Sequence, residues 1–254
     1  MLFEVCLQSV DDAVAAQAGG AQRVELCAAL VEGGITPSLG SIRACRDAVD
    51  IDVMVMIRPR GGDFVYTDWE LDAMAKDIAE CKKIGVTGVV FGMLELDGKV
   101  ARTQVQRMVN EAGPDLSVTF HRAFDVSAEP FAALDTLIEL GIDRVLTSGQ
   151  AATVPEGIGM IRALVDRAAG RIGILPGCGI TPDNVAEIIA YTGVSEFHAT
   201  AFATLESPMQ HRNAEVYMGI PGLPEYERQV TSEEEVRKFV RAAGGRGAVL
   251  RAET

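Results

Sequence analysis

Eight short runs of apolar, β-branched residues alternate with eight amphipathic stretches along this chain, and few architectures accommodate that alternation. The runs are Phe3–Cys6, Arg23–Leu26, Asp52–Ile57, Gly88–Phe91, Ser117–Phe120, Arg144–Leu146, Ile172–Leu175 and Glu196–His198. Helical periodicity marks Val10–Ala18, Leu39–Val49, Glu70–Ile84, Arg102–Glu111, Pro130–Leu140, Glu156–Ala168, Pro182–Thr192 and Ser232–Ala243. Short, nearly continuous apolar strands separated by helices read as parallel strands covered on both faces. Eight strand–helix units in 254 residues predict an α/β protein with a single closed (β/α)8 TIM barrel rather than an open sheet. Gly19-Gly20 and Gly85 fall at expected helix C-termini and do not form a dinucleotide fingerprint.

No linker interrupts the pattern, so residues 1–254 are expected to form one domain. The longest irregular stretch, 204–231, contains prolines at 208, 221 and 224 and is read as a long loop over the barrel mouth, between strand eight and helix eight. Ser232-Glu233-Glu234-Glu235 has the spacing of a capping box, and Thr181-Pro182 the pattern of a helix start. The residues from Gly244 to Thr254 read as a frayed tail.

Charge and composition exclude several roles. A formal net charge of −13 repels a phosphate backbone, so nucleic acid is not an expected partner. No stretch of eighteen apolar residues marks a membrane span, and Glu4 stands where a signal peptide requires apolar residues, so the expected location is the cytoplasm. The five cysteines form no CxxC pair, and they read as free thiols rather than a disulfide framework or a structural zinc site.

In a barrel of this kind the strand ends meet at one mouth, where polar side chains are informative. By the two-residue period of a strand, Glu4 and Cys6 share a face, as do Arg23, Glu25 and Cys27. Acids on strands covered on both sides need partners, for which Arg23, Arg58, Arg60 and Arg122 are candidates. They form either a structural ion network or part of a site.

The turn Ile57-Arg58-Pro59-Arg60-Gly61-Gly62-Asp63-Phe64 concentrates positive charge, which suits an anion or neutralises Glu25 and Asp63. His121, which ends strand five, is a candidate general acid or base oriented by Asp125 or Glu4, and His198 ends strand eight. Ser148-Gly149 and Gly177-Cys178-Gly179 follow strands six and seven, where barrel proteins recurrently bind phosphate through backbone N–H groups. Cys27, with Met54 and Met56 on a shared face, offers soft donors of the kind that favour Cu(I), although such side chains also simply fill cores.

Longer strings then align with a known family. Arg23-Val24-Glu25-Leu26-Cys27, Glu32-Gly33-Gly34-Ile35-Thr36-Pro37-Ser38, Ile57 through Phe64, Thr119 through Asp125 and Leu146 through Gly149 resemble the CutC family of copper homeostasis proteins. Phe197-His198 and Arg212-Asn213 fit its closing motifs, so the resemblance runs from about residue 3 to 213. It implies a TIM barrel, a cytoplasmic location, a dimeric or larger homo-oligomer, and copper as Cu(I) with Cys27 as a ligand. A second cysteine proposed in the family has no assigned counterpart, and Cys178 departs from a common Gly/Ala pattern. Ala199-Thr200-Ala201 lacks the small Ser or Cys residues often found there.

Three functions remain open: a Cu(I)-binding homeostasis protein, a barrel enzyme for a small anionic or phosphorylated metabolite, and an interaction scaffold. In the enzyme, Glu4, Glu25, His121, Asp125 and His198 would handle protons. Arg58, Arg60, Arg122, Ser148, Gly149, Gly177 and Gly179 would hold the anion.

Overall fold

In the computed structural model, which describes residues 1–244 apart from 214, 217 and 221, eight parallel strands run in the order β7-β6-β5-β4-β3-β2-β1-β8. They are β1 (Leu2–Leu7), β2 (Arg23–Leu26), β3 (Asp52–Met56), β4 (Gly88–Phe91), β5 (Ser117–Phe120), β6 (Arg144–Thr147), β7 (Gly173–Pro176) and β8 (Glu196–Ala199). A parallel bridge between Gly177 and His198 joins the two ends at the mouth and closes the barrel. Helices α1 (Val10–Gly19), α2 (Leu39–Ala48), α3 (Asp68–Ile84), α4 (Arg102–Ala112), α5 (Pro130–Glu139), α6 (Val154–Ala168), α7 (Val185–Thr192) and α8 (Glu233–Ala242) follow the strands in turn. The expected TIM barrel is what the chain forms. The expected tail lies outside the described residues beyond Gly244.

The alternation of side chains sorts two interiors. Outward positions such as Phe3, Val5, Val24, Val53, Val55, Phe91, Phe120 and Phe197 pack with the helices in one continuous apolar core. Inward positions carry polar and sulfur groups instead. At the base, Arg23 pairs with Glu4 and, at 2.5 Å, with Glu196, while Arg144 lies 3.6 Å from Glu196. One layer higher, Cys6, Cys27, Met54, Met56 and Val90 form a small cluster of their own.

Two elements differ from the sequence reading. The stretch read as a loop begins and ends in an antiparallel ribbon, β9 (Phe202–Glu206) with β10 (Glu227–Thr231). Its strands are separated by twenty residues (207–226), so no hairpin turn announces the pairing. The ribbon is tied to the barrel where buried Asp12 accepts from the Thr231 N–H at 2.7 Å. Helix α7 runs from Val185 instead of Pro182, and residues 181–184 lead into it as a turn. There the Thr181 carbonyl accepts from the N–H groups of Asn184 and Val185, and Asn184 Oδ1 accepts from Thr181 N–H. At α8, Ser232 accepts from the Glu235 N–H as expected, while the complete reciprocal box is at Thr67 and Glu70 of α3.

The turn after β6 is held by backbone contact with α6. A Cβ on Gly157 would stand 1.9 Å from the Ser148 carbonyl oxygen, and Gly149 adopts φ +76° against the same residue. Gly157→Ala is therefore expected to lower stability by about 3 kcal/mol or more, because backbone rather than a movable side chain must give way. A urea denaturation midpoint unchanged from the parent would contradict that packing.

Candidate functional site

The inward residues at the strand ends surround a cavity of about 130 Å³ lined by Cys6, Glu25, Cys27, Gly33, Met56, Arg58, Phe64, His121, Arg122, Leu146 and His198. Strand register decides which groups meet. Cys6 is the β1 partner of Glu25 on β2, and Cys27 lies two residues further along the same face. The ligand atoms of Cys6, Glu25 and Cys27 all lie within 4.8 Å of one another, as do those of Glu4, Glu25 and His198.

These groups form one array of hydrogen bonds and a close ion-pair contact. Glu4 Oε1 lies 2.7 Å from His198 Nδ1, Glu25 Oε2 lies 3.8 Å from His198 Nε2, and the Cys27 thiol donates to Glu25 Oε2 at 3.5 Å. Burial would raise the Glu4 carboxyl, but Arg23 and His198 outweigh it and hold Glu4 down at about 2. The Cys27 thiol is the main influence lowering Cys6; burial opposes it and His198 assists. Cys27 moves the other way, pushed up by its hydrogen bond with Cys6 and by burial. Burial, with the Cys6 sulfur and Glu4 nearby, raises Glu25 and favours its protonated form. Burial opposes charge on His198, yet Glu25, Cys6 and Glu4 together raise it, favouring the imidazolium. The mouth thus gathers two thiols, two carboxyl groups and an imidazole around one space.

Of the expected partners for the two acids, Glu4 does meet Arg23, whereas Glu25 meets His198 and the Cys27 thiol and, among the described residues, no arginine. His121 is not oriented by Asp125 or by Glu4. Its Nδ1 accepts from the Ala123 N–H at 3.1 Å, which leaves the ring proton on Nε2. Gly92 makes room for the ring, since a Cβ there would lie 2.5 Å from Nδ1. Burial and the neighbouring Arg58 cation push His121 down to about 3.

A histidine lowered from 6.5 favours the neutral ring in the fold, so its contribution is present above about pH 6.5 and lost as pH falls toward 3. His121→Gln should flatten the acid limb of stability against pH by a few kcal/mol, an order-of-magnitude figure. Urea titrations from pH 4 to 7 that give parallel curves for variant and parent would refute this.

Asp125 is turned away by the 3₁₀ turn of residues 122–126. Its carboxylate accepts from the N–H groups of Ser148 and Gln150 and from the Thr147 and Ser148 hydroxyls, while Arg122 Nε pairs with it at 2.7 Å. The turn at Ser148-Gly149 holds the chain's own Asp125 carboxylate. Gly149 N–H goes to Thr147 Oγ1, Gly177 N–H to the Thr147 carbonyl, and Gly179 packs against Thr153. Arg60 faces outward to Glu70, Asp63 and the Val65 carbonyl, whereas Arg58 turns inward and spends its Nη atoms on the carbonyls of Glu32, Gly34 and Gly62. Arg58 and Arg122 therefore reach the cavity, while Arg60, Ser148, Gly149, Gly177 and Gly179 do not line it. Cys178 is exposed on the β7 turn with φ +91°, and its thiol donates to the Ala152 carbonyl. Cys6 and Phe64, which no motif singled out as site residues, complete the wall.

The model of the CutC family matches residues 1–203. The chain belongs to the CutC family. A CutC family protein of Chromobacterium violaceum is 46% identical over 236 residues, covering 93% of this chain and 95% of the relative. The Mus musculus copper homeostasis protein cutC homolog is 47% identical over 237 residues, covering 93% and 87%. The crystal structure of the copper homeostasis protein CutC from Streptococcus agalactiae superposes with a TM-score of 0.76 at 35% identity, covering 79% of this chain and 98% of that one. N-(5'-phosphoribosyl)anthranilate isomerase of Pyrococcus furiosus, with a TM-score of 0.57 at 14% identity over 96% and 98% of the two chains, shares the barrel alone.

Proposed function

We propose that this CutC-family protein binds Cu(I) at the barrel mouth through Cys6 and Cys27 and serves copper homeostasis. The observation that carries the reading is the pair of thiols on adjacent strands, within 4.8 Å of each other and clustered with Met54 and Met56. Sulfur donors of this kind select Cu(I) over harder ions. Cys27 stands diagonal to Cys6 across the parallel β1–β2 pairing, and both are free thiols, so both sulfurs are available to one metal. Glu25 accepts from the Cys27 thiol at 3.5 Å, which orients one of the two donors before a metal arrives.

The names of the Mus musculus and Streptococcus agalactiae relatives support the copper role. Five free thiols suit a reducing compartment, which supports the cytoplasm as the location. Among the described residues, no helix is long and apolar enough to cross a membrane. A phosphorylated metabolite is a poorer occupant. The cavity of about 130 Å³ is well below the roughly 300–1,000 Å³ of ordinary ligand pockets, and Asp125 already fills the anion-binding turn.

Anaerobic titration of the reduced protein with Cu(I) in competition with a chromogenic chelator tests the reading. One Cu(I) withdrawn from the chelator per chain is the expected endpoint. A chelator that keeps all its copper at every protein ratio would sink it.

A further inference from the structure

We propose that the same cavity binds a short-chain monocarboxylate, seated on Arg122 and His121 across from the thiols. Its wall holds donors that the fold leaves unspent. His121 is only 4% exposed, and its Nε2, which carries the ring proton, has no hydrogen-bond partner among the described residues. Arg58 is 5% exposed, and its Nε is likewise buried without a partner among them. Arg122 lines the cavity, and its Nη1 carries no hydrogen bond among the described residues, since Nε and Nη2 are taken by Asp125 and Ser148. Native folds rarely leave buried donors unpaired, because each costs about 1–3 kcal/mol in lost solvation. Two such atoms on residues lining one cavity point to an acceptor that belongs there.

Shape and chemistry narrow the acceptor. A cavity of about 130 Å³ holds roughly four waters at about 30 Å³ each, or an organic anion of about four to six heavy atoms. With Nε and Nη2 of Arg122 already taken, its Nη1 offers one charge-assisted donor to a carboxylate oxygen and His121 Nε2 offers a second, neutral one. Met56, Phe64 and Leu146 give the remaining wall an apolar character suited to one or two carbons beyond it. Glu25, whose Oε1 is also buried without a partner among the described residues, lines the same cavity. Phosphate would need more donors than remain once Asp125 has taken the N–H groups of the β6 turn.

The test uses metal-free, reduced, full-length protein, so it stands apart from the copper reading. Saturation-transfer NMR is run with acetate and propionate, with hexanoate as a contrasting probe and inorganic phosphate, read by its displacement of acetate, as a competitor. Acetate and propionate should bind saturably and displace each other, hexanoate and phosphate should not bind, and Arg122→Gln and His121→Phe should each weaken acetate at least tenfold. Absence of saturable acetate binding overturns the proposal, as does equal binding of phosphate or hexanoate, or unchanged affinity in both variants.

A second measurement needs no variant. Iodoacetate should alkylate Cys6 or Cys27 faster than iodoacetamide does, and acetate should protect them, whereas exposed Cys178 should show no preference for iodoacetate. The same reagent order at all three thiols would place the carboxylate elsewhere and overturn the assignment. Loss of Cu(I) binding with acetate binding intact would remove only the copper reading, and the converse only this one.

Discussion

Replacing either Cys6 or Cys27 by serine is expected to weaken Cu(I) binding at least a hundredfold, and replacing both to abolish it. Serine keeps the size and hydrogen-bonding capacity of the thiol but substitutes a hard oxygen for a soft sulfur, so the loss falls on the metal and not on the fold. A hundredfold change corresponds to about 2.7 kcal/mol of binding free energy. The two sulfurs lie within 4.8 Å of each other, so removing one leaves a single thiol with thioether neighbours. Met56→Leu preserves volume and removes a weaker donor, and should cost less than tenfold. Chelator competition on the four proteins checks the order. Single cysteine variants within twofold of the parent would remove Cys6 and Cys27 from the site.

The second large effect belongs to the barrel base. Arg23→Met should lower stability by about 3–5 kcal/mol, the usual cost of leaving buried charges without their partner. Arg23 is 2% exposed and is the cation shared by Glu4 and Glu196; Arg144 approaches only Glu196, at 3.6 Å. Burial alone would raise the Glu4 carboxyl, and Arg23 is the first of the charges that lower it to about 2. A carboxylate so lowered contributes stability above its unfolded value, near 4.5, and loses it as pH falls toward 2. The parent sheds that contribution in acid, whereas the variant has already lost it. The difference between the two proteins should therefore be widest near pH 7 and narrow below about pH 4. Urea denaturation across that range measures it, and a pH-independent difference would mean that packing, not charge, dominates at Arg23. Adding Glu4→Gln to Arg23→Met should restore part of the loss, because one orphaned charge is removed with its partner.

The same base explains what was legible beforehand. The strands from Arg23–Leu26 to Glu196–Ala199 were readable because their outward faces are apolar and β-branched, and their ends fall within about two residues of the sequence reading. The pairing of β9 with β10 was not readable, since nothing local records a partner twenty residues away. At the site, the two-residue period placed Glu4 with Cys6 and Glu25 with Cys27. It could not say that Cys6 stands opposite Glu25, which depends on the stagger between neighbouring strands. Asp125 escaped for a different reason. Its spacing from His121 suggested a pair, but a 3₁₀ turn carries it to the β6 turn, where backbone N–H groups outcompete the imidazole. Copper itself came from the resemblance of the motifs, because buried sulfur alone does not distinguish a ligand from a core residue.

The most direct measurement is X-ray absorption at the copper edge on anaerobic protein loaded with one Cu(I) per chain. The account expects scattering from two sulfur neighbours, falling to one in Cys6→Ser. Coordination by nitrogen and oxygen alone, or a spectrum unchanged in that variant, would contradict it.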